Sequence, residues 1–235
     1  MRQGFSLLEL IFALVVISIV LLGIPGLFQQ TANQAQEALK LEAVTQAYRS
    51  IGTALSYPWD EHSRDENLSR SLILDVSNLA DPELARETNT SRYRRGNFNE
   101  KVTRIFYPIT TVQEQRSASS TLGKEGNEIN DLDDFNNATE QITKVSNAMG
   151  SVLTMKIHYK VFYINDHTDY FSNTVSWKIF DDSNTPFSDT SNLKLIEINV
   201  SLPEVTDENG NSEYVILRAI SPNIGEPKLA YKDLP

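Results

Sequence analysis

The chain opens on an apolar run and then changes character. No charged residue occurs between Leu10 and Phe28, and 18 of the 24 residues from Phe5 to Phe28 are apolar. As an α-helix that stretch would be about 36 Å long, enough to cross a hydrocarbon core of about 30 Å with some tilt. Beyond Phe28 the period stays helical while the composition turns polar. Leu41, Val44, Tyr48, Ile51 and Leu55 recur at helical spacing, with Glu42, Gln46, Arg49 and Thr53 off the stripe. This stripe is expected to pack on the domain behind it. Tyr57-Pro58 stops the pattern, because the residue before a proline is pushed out of the α region. One helix is therefore expected within 5–57, from Phe5 to about Ser56. Its first part, 5–28, suits a membrane, and the remainder is amphipathic.

The C-terminal third has a different period. Leu153, Met155, Ile157, Tyr159, Val161 and Tyr163 alternate with Thr154, Lys156, His158, Lys160 and Phe162. Val175, Trp177 and Ile179 repeat the pattern, as do Ile196, Ile198, Val200 and Leu202. A further strand is expected over Tyr214–Ile220, after the turn signal Asp207-Glu208-Asn209-Gly210. Period-2 segments with one polar face predict a half-buried antiparallel sheet from about 152 to 220. The helix stripe can cover its apolar face, giving an α+β fold: a long N-terminal helix packed on a C-terminal antiparallel sheet. The globular part would span 58–235. Its middle is less patterned. Leu68–Leu79 suits a short helix or strand, Val102–Tyr107 a strand, Gln113–Asn137 a long loop and Ala138–Met149 a short helix.

Two details of the first segment stand out. Glu9 is the one charge between Phe5 and Phe28. Ser6-Leu7-Leu8-Glu9 fits a capping box, in which serine and glutamate satisfy the first orphan amides of a helix. A carboxylate also suits the positive end of the helix dipole. Alternatively, Glu9 awaits a positive partner, such as an amine freed by cleavage after Gly4. Gly23, Pro25 and Gly26 form the second feature: Pro25 cannot donate to the carbonyl of Leu21, and flanking glycines lower helix propensity, so a kink is expected. An ordinary secretory signal places its small-residue cut after the apolar run. Here the small residue, Gly4, precedes it, and a cut there would keep the apolar helix.

Gly4-Phe5-Ser6-Leu7-Leu8-Glu9 and the apolar run after it resemble the class III signal of type IV pilins and type II secretion pseudopilins. The resemblance covers about the first thirty residues. It implies a leader, 1–4, cut between Gly4 and Phe5 by a prepilin peptidase, and N-methylation of the new Phe5 amine. It implies that Glu9 pairs with the N-terminal amine of a neighbouring subunit during assembly, with other pilin or pseudopilin subunits and an inner-membrane platform as partners. It also implies a pilin-like fold and a single-pass inner-membrane protein whose C-terminal domain stands in the periplasm. Within the family, the absence of cysteine leans toward a pseudopilin, and the length toward a minor subunit of a type II secretion-type filament supporting protein export. A minor pilin of a type IV pilus, serving adhesion, motility or DNA uptake, is the alternative. A membrane-tethered periplasmic binding or sensory domain is a reading of another class.

Composition narrows the chemistry. The chain has 31 acidic and 21 basic residues and a net charge of -10, which argues against general binding to a phosphate backbone. DNA is not an expected partner, although Arg86, Arg92, Arg94, Arg95, Lys101 and Arg104 form a basic stretch with Tyr93 and Phe98 interleaved. Without cysteine there is no disulfide, thiolate nucleophile or Cys-ligated metal. No H-E-x-x-H, G-x-S-x-G or Walker motif occurs, and His62, His158 and His167 are far apart in sequence, so no enzymatic activity and no resident cofactor are expected. Two acidic groups are weak calcium candidates: Asp131, Asp133 and Asp134 in the long loop, and Asp181, Asp182 and Asp189 farther on. Neither has EF-hand spacing, and solvated loop charge is the expected account. Asn67 and Asn89 lie in N-x-S sequons.

Overall fold

The computed structural model describes residues 7–64, 71–77, 84–86, 104–145, 152–165, 186–206 and 209–226. A 49-residue helix, α1 (Leu7–Leu55), comes first and runs through Pro25 without ending. Its first half stands clear of the rest of the molecule, with Leu7, Phe12, Leu22 and Phe28 all more than two-thirds exposed. Hydroxyls in this part turn back onto the helix: Ser18 Oγ donates to the Leu14 carbonyl at 2.7 Å, and Thr31 Oγ1 to that of Leu27 at 2.8 Å. That habit satisfies a hydroxyl within its own helix.

Four strands follow: β1 (Thr139–Val145), β2 (Val152–Tyr163), β3 (Leu193–Thr206) and β4 (Ser212–Pro222). They form one antiparallel sheet in the order β1-β2-β3-β4, so each strand pairs with its neighbour in sequence. The β2–β3 register sets Tyr163 opposite Lys194, Val161 opposite Ile196, Tyr159 opposite Ile198 and Ile157 opposite Val200. All eight are buried and, by strand parity, share one face. The β3–β4 connection includes Gly210 at φ 80°, a left-handed backbone that glycine adopts without steric cost.

α1 packs on β3 and β4 through a face other than the expected stripe. Leu41, Val44, Tyr48 and Leu55 are exposed, and Ile51 alone of the stripe is buried. The residues against the sheet are Ala43, Gln46, Ala47, Ser50, Ile51 and Ala54. Ala43, Ala47, Ser50 and Ala54 form their own helical stripe, turned about 100° around the axis from the larger one. Small side chains let the helix backbone approach a sheet already carrying Met155, Ile157, Tyr159, Ile198 and Val200. The bulky layer comes from the sheet, and bulk on both sides would overfill the space.

Other differences concern the middle of the chain. Thr139–Val145, expected within a short helix, is instead strand β1: Thr139 and Thr143 pair with His158 and Thr154, so β2 supplies hydrogen-bonding partners that override a weak local preference. Ile73 and Phe106 form an isolated parallel bridge, as do Asp75 and Ser117, so the segments expected as strand contribute single bridges. Gln113–Asn137 is mostly irregular, with one short helix, α2 (Gln113–Arg116), and a 3-10 turn at Asp133–Phe135. The strand expected at Val175–Ile179 lies outside the described residues.

Candidate functional site

Two regions carry candidate chemistry. In the first, Gly4, Phe5 and Ser6, the residue expected to cap the helix, lie outside the described residues, while Glu9 sits exposed in the first turn of α1. The helix dipole favours a carboxylate there. The exposed apolar surface from Leu7 to Phe28 makes α1 long and apolar enough to cross a membrane. Pro25 removes one donor from the ladder, and a Cβ added at Gly23 or Gly26 would meet no atom within 4 Å.

The second region lies where the chain leaves α1. After Pro58 the backbone enters a 3-10 turn, Glu61–Ser63, capped by Asp60, whose Oδ1 accepts from the His62 amide at 3.1 Å. Asp60 Oδ2 accepts from the Ser119 amide at 2.9 Å. The turn at Asp133–Phe135 faces it, and Leu132 N–H donates to the Pro58 carbonyl at 2.9 Å, tying the two together.

Asp131, Asp133 and Asp134 are buried here, with exposures of 0%, 0% and 2%, which overturns the expectation of solvated loop charge. Their oxygens close the loop on itself. Asp131 Oδ1 accepts from the amides of Asp133 at 3.0 Å and Asp134 at 3.1 Å, while Oδ2 accepts from the Glu61 amide at 2.6 Å. Asp134 Oδ2 accepts from the Asn130 amide at 2.7 Å. Such bonds offset much of the cost of burying a carboxylate.

Lys194, a residue that the sequence pattern did not single out, is the cation of this site. It is fully buried on the core face of β3. Its Nζ donates to Asp133 Oδ1 at 2.6 Å, to the Trp59 carbonyl at 2.7 Å and to Asp60 Oδ2 at 3.3 Å. It also lies 4.2 Å from the Trp59 ring centroid and 5.4 Å from that of Tyr163. The signal was present: Lys194 has the parity of Ile196, Ile198 and Val200, so a strand with one apolar face carries an ammonium inward. Asp60 and Glu61 gave no comparable signal, because a turn after a helix is an ordinary place for acids.

Asp60 and Asp133 contact this ammonium and Asp131 lies within its field, while Glu61 and Asp134 adjoin Asp131, with exposed Glu125 at the edge. Burial first, then the neighbouring Glu61 carboxyl, pushes Asp131 up to about 9. Burial also raises Asp133, against the pull of Lys194. Burial opposes ionisation of Glu61 too, but hydrogen bonds from Asp131 and Ser119 outweigh it and hold Glu61 below the usual carboxylate range. Burial, with the nearby carboxylates, raises the Tyr163 phenol, which donates to the Ser119 carbonyl at 2.7 Å.

The other candidates are dispersed. Asp189 is exposed, and Asp181 and Asp182 lie outside the described residues, so they form no described cluster with it. In the basic stretch, Arg86 pairs with Asp75 at 3.0 Å and Arg104 donates to the Gly225 carbonyl at 3.1 Å. Arg92, Arg94, Arg95, Lys101, Asn67, Asn89 and His167 lie outside the described residues. His62 lies beside Asp60 and Glu61, with Nδ1 3.1 Å from the Ser117 carbonyl; His158 is half-buried in β2.

No curated protein and no solved structure matches the chain. Residues 1–25 match the family model of the prokaryotic N-terminal methylation motif. The match takes in most of the apolar run of α1 and makes the start of the chain a class III prepilin signal, consistent with a pilin-like or pseudopilin subunit; such a signal implies processing by prepilin peptidase and assembly with other pilin subunits.

Proposed function

We propose that the chain is a non-enzymatic structural subunit, a minor pseudopilin, of a type II secretion-type filament that supports protein export. On this reading prepilin peptidase removes residues 1–4, the Phe5 amine is methylated, and α1 anchors the chain in the inner membrane with its domain in the periplasm. An inner-membrane platform then moves it into the filament.

The observation that carries this reading is the continuity of α1. A helix that leads out of a methylation motif is apolar and exposed through Phe28, and then docks on the sheet by a narrow small-residue face. Beyond the polar stretch that follows Phe28, Leu41, Val44 and Tyr48 add a second exposed apolar patch past the membrane-length part. A plain anchor has no use for apolar surface beyond the bilayer, whereas a subunit whose helices pack together does. Glu9 supplies register: a carboxylate in low dielectric gains most from one specific ammonium, and the amine of a neighbouring processed chain is a suitable donor.

Mass spectrometry of the chain from its native host tests the processing step. A methylated N-terminus at Phe5 is expected, and a mature chain still starting at Met1 would sink the reading. Glu9→Ala should leave processing intact and reduce incorporation into sheared filaments about tenfold or more, as expected for a low-dielectric ion pair. Unchanged incorporation would confine Glu9 to capping its own helix. A deletion strain that loses export but keeps twitching and transformation separates the secretion filament from a type IV pilus.

A further inference from the structure

The buried acids beside α1 are left with more negative oxygens than Lys194 can serve. An ammonium has three protons, and those of Lys194 already go to Asp133, Asp60 and the Trp59 carbonyl. Yet Asp133 Oδ2 and Asp134 Oδ1 are buried and accept no hydrogen bond from any described residue. An orphaned buried carboxylate oxygen is costly and calls for a cation or a proton. Nearby Lys124 is committed elsewhere, donating to the Asn127 carbonyl at 3.2 Å.

Three carboxylates converge beside these oxygens. One oxygen each from Glu61, Glu125 and Asp133 lie within 4.8 Å of one another. Glu61 comes from the turn after α1, and Glu125 and Asp133 from two points of the long loop, Asp133 in its last turn before β1. Two oxygens on one calcium ion, each at 2.3–2.6 Å from it, stand at most about 5 Å apart, so this separation suits a shared ion.

We propose that Glu61, Glu125 and Asp133 bind a structural calcium ion that clips the long loop to the end of α1. Calcium accepts six to eight oxygens in irregular arrangements, and a loop-built set open to water on its Glu125 side offers that; magnesium demands a near-ideal octahedron. The ion supplies a partner for the oxygen of Asp133 that Lys194 does not reach. It holds the exit of α1 against the 3-10 turn that leads into β1, so loading stiffens the joint between helix and sheet. This inference concerns the folded domain and is independent of the filament assignment.

The test uses the full-length chain in a non-ionic detergent, stripped with EDTA and titrated with calcium or magnesium chloride by calorimetry and thermal unfolding. One saturable calcium site and a rise in melting temperature are expected, with magnesium weaker by tenfold or more. Asp133→Asn disturbs Lys194, so the informative variant is Glu125→Gln, which changes an exposed side chain. It should leave the calcium-free melting temperature unchanged or slightly higher, because the charge it removes is one that Glu61, Asp133 and Asp134 repel, and it should weaken calcium binding about tenfold or more, since affinity follows ligand charge. Asp189→Asn, an exposed acid outside the cluster, should bind as the parent does. Absence of saturation at millimolar calcium, equal binding of magnesium, or an unaltered Glu125→Gln titration would each overturn the proposal.

Discussion

Lys194 shows how one side chain can organise a region without belonging to any motif. Its stem passes through the core face of β3 and its ammonium ends under Trp59. Two carboxylates and a carbonyl receive its three protons, so desolvation of the charge is matched bond for bond. Removing one member of such a set leaves the others buried and unpaired, which typically costs about 3–5 kcal/mol. Lys194→Met keeps the length and apolar stem but deletes the charge. Denaturant unfolding of the full-length chain in detergent should show that loss, read from the midpoint at constant slope. A loss below about 1 kcal/mol would mean that Asp60 and Asp133 are served without the lysine.

At the scale of elements, the periods of the sequence revealed which segments are helix and strand more readily than which face of each is covered. The long helix follows from the run after Phe5 and the stop at Tyr57-Pro58, and β2, β3 and β4 follow from alternation. β1 reads as helix because Ala138, Ile142, Val145 and Met149 fall at helical spacing, and pairing with β2 overrides that local period. The covered face of α1 was misread for a physical reason: hydrophobicity marks surface that avoids water, whereas close packing on a bulky sheet selects small side chains. The acidic cluster was visible as residues but not as a site, since spacing does not reveal burial. The corrected face makes opposite forecasts for neighbouring positions. Ala47→Leu, at a fully buried position, should destabilise the domain by about 1–3 kcal/mol through overpacking. Tyr48→Glu, at 72% exposure, should change stability by less than about 0.5 kcal/mol yet lower filament incorporation. Equal melting temperatures for Ala47→Leu and the parent would refute the packing.

For the molecule as a whole, the neutral carboxyl at the exit of α1 makes folding depend on pH in an unusual direction. Asp131 is faced by Glu61 from the turn after α1, by Asp133 from its own loop and by Lys194 from β3. Burial first, with Glu61 and Asp133 adding to it, holds its folded-state value up at about 9, far above the 3.8 of an ordinary aspartate. Between those two values the unfolded chain is ionised at Asp131 and the folded chain is not. The folded state therefore binds the extra proton, and stability falls as pH rises across that window, by at most about 1.4 kcal/mol per pH unit for one proton. The elevated Asp133 acts in the same sense. Glu61, held low, acts in the opposite sense, but its contribution is lost only as pH falls below the usual glutamate range. In EDTA, the melting temperature of the detergent-solubilised chain should thus decline from pH 5 to pH 8. Asp131→Asn keeps an acceptor for the Asp133 and Asp134 amides, gives up the one for the Glu61 amide and cannot ionise, so its profile should be flatter than the parent's over the same interval, whatever its constant offset in stability. Taking the difference between the two profiles removes the background titration of the three histidines. Parallel profiles would show that Asp131 is ionised in the fold, with its three amide bonds outweighing its burial.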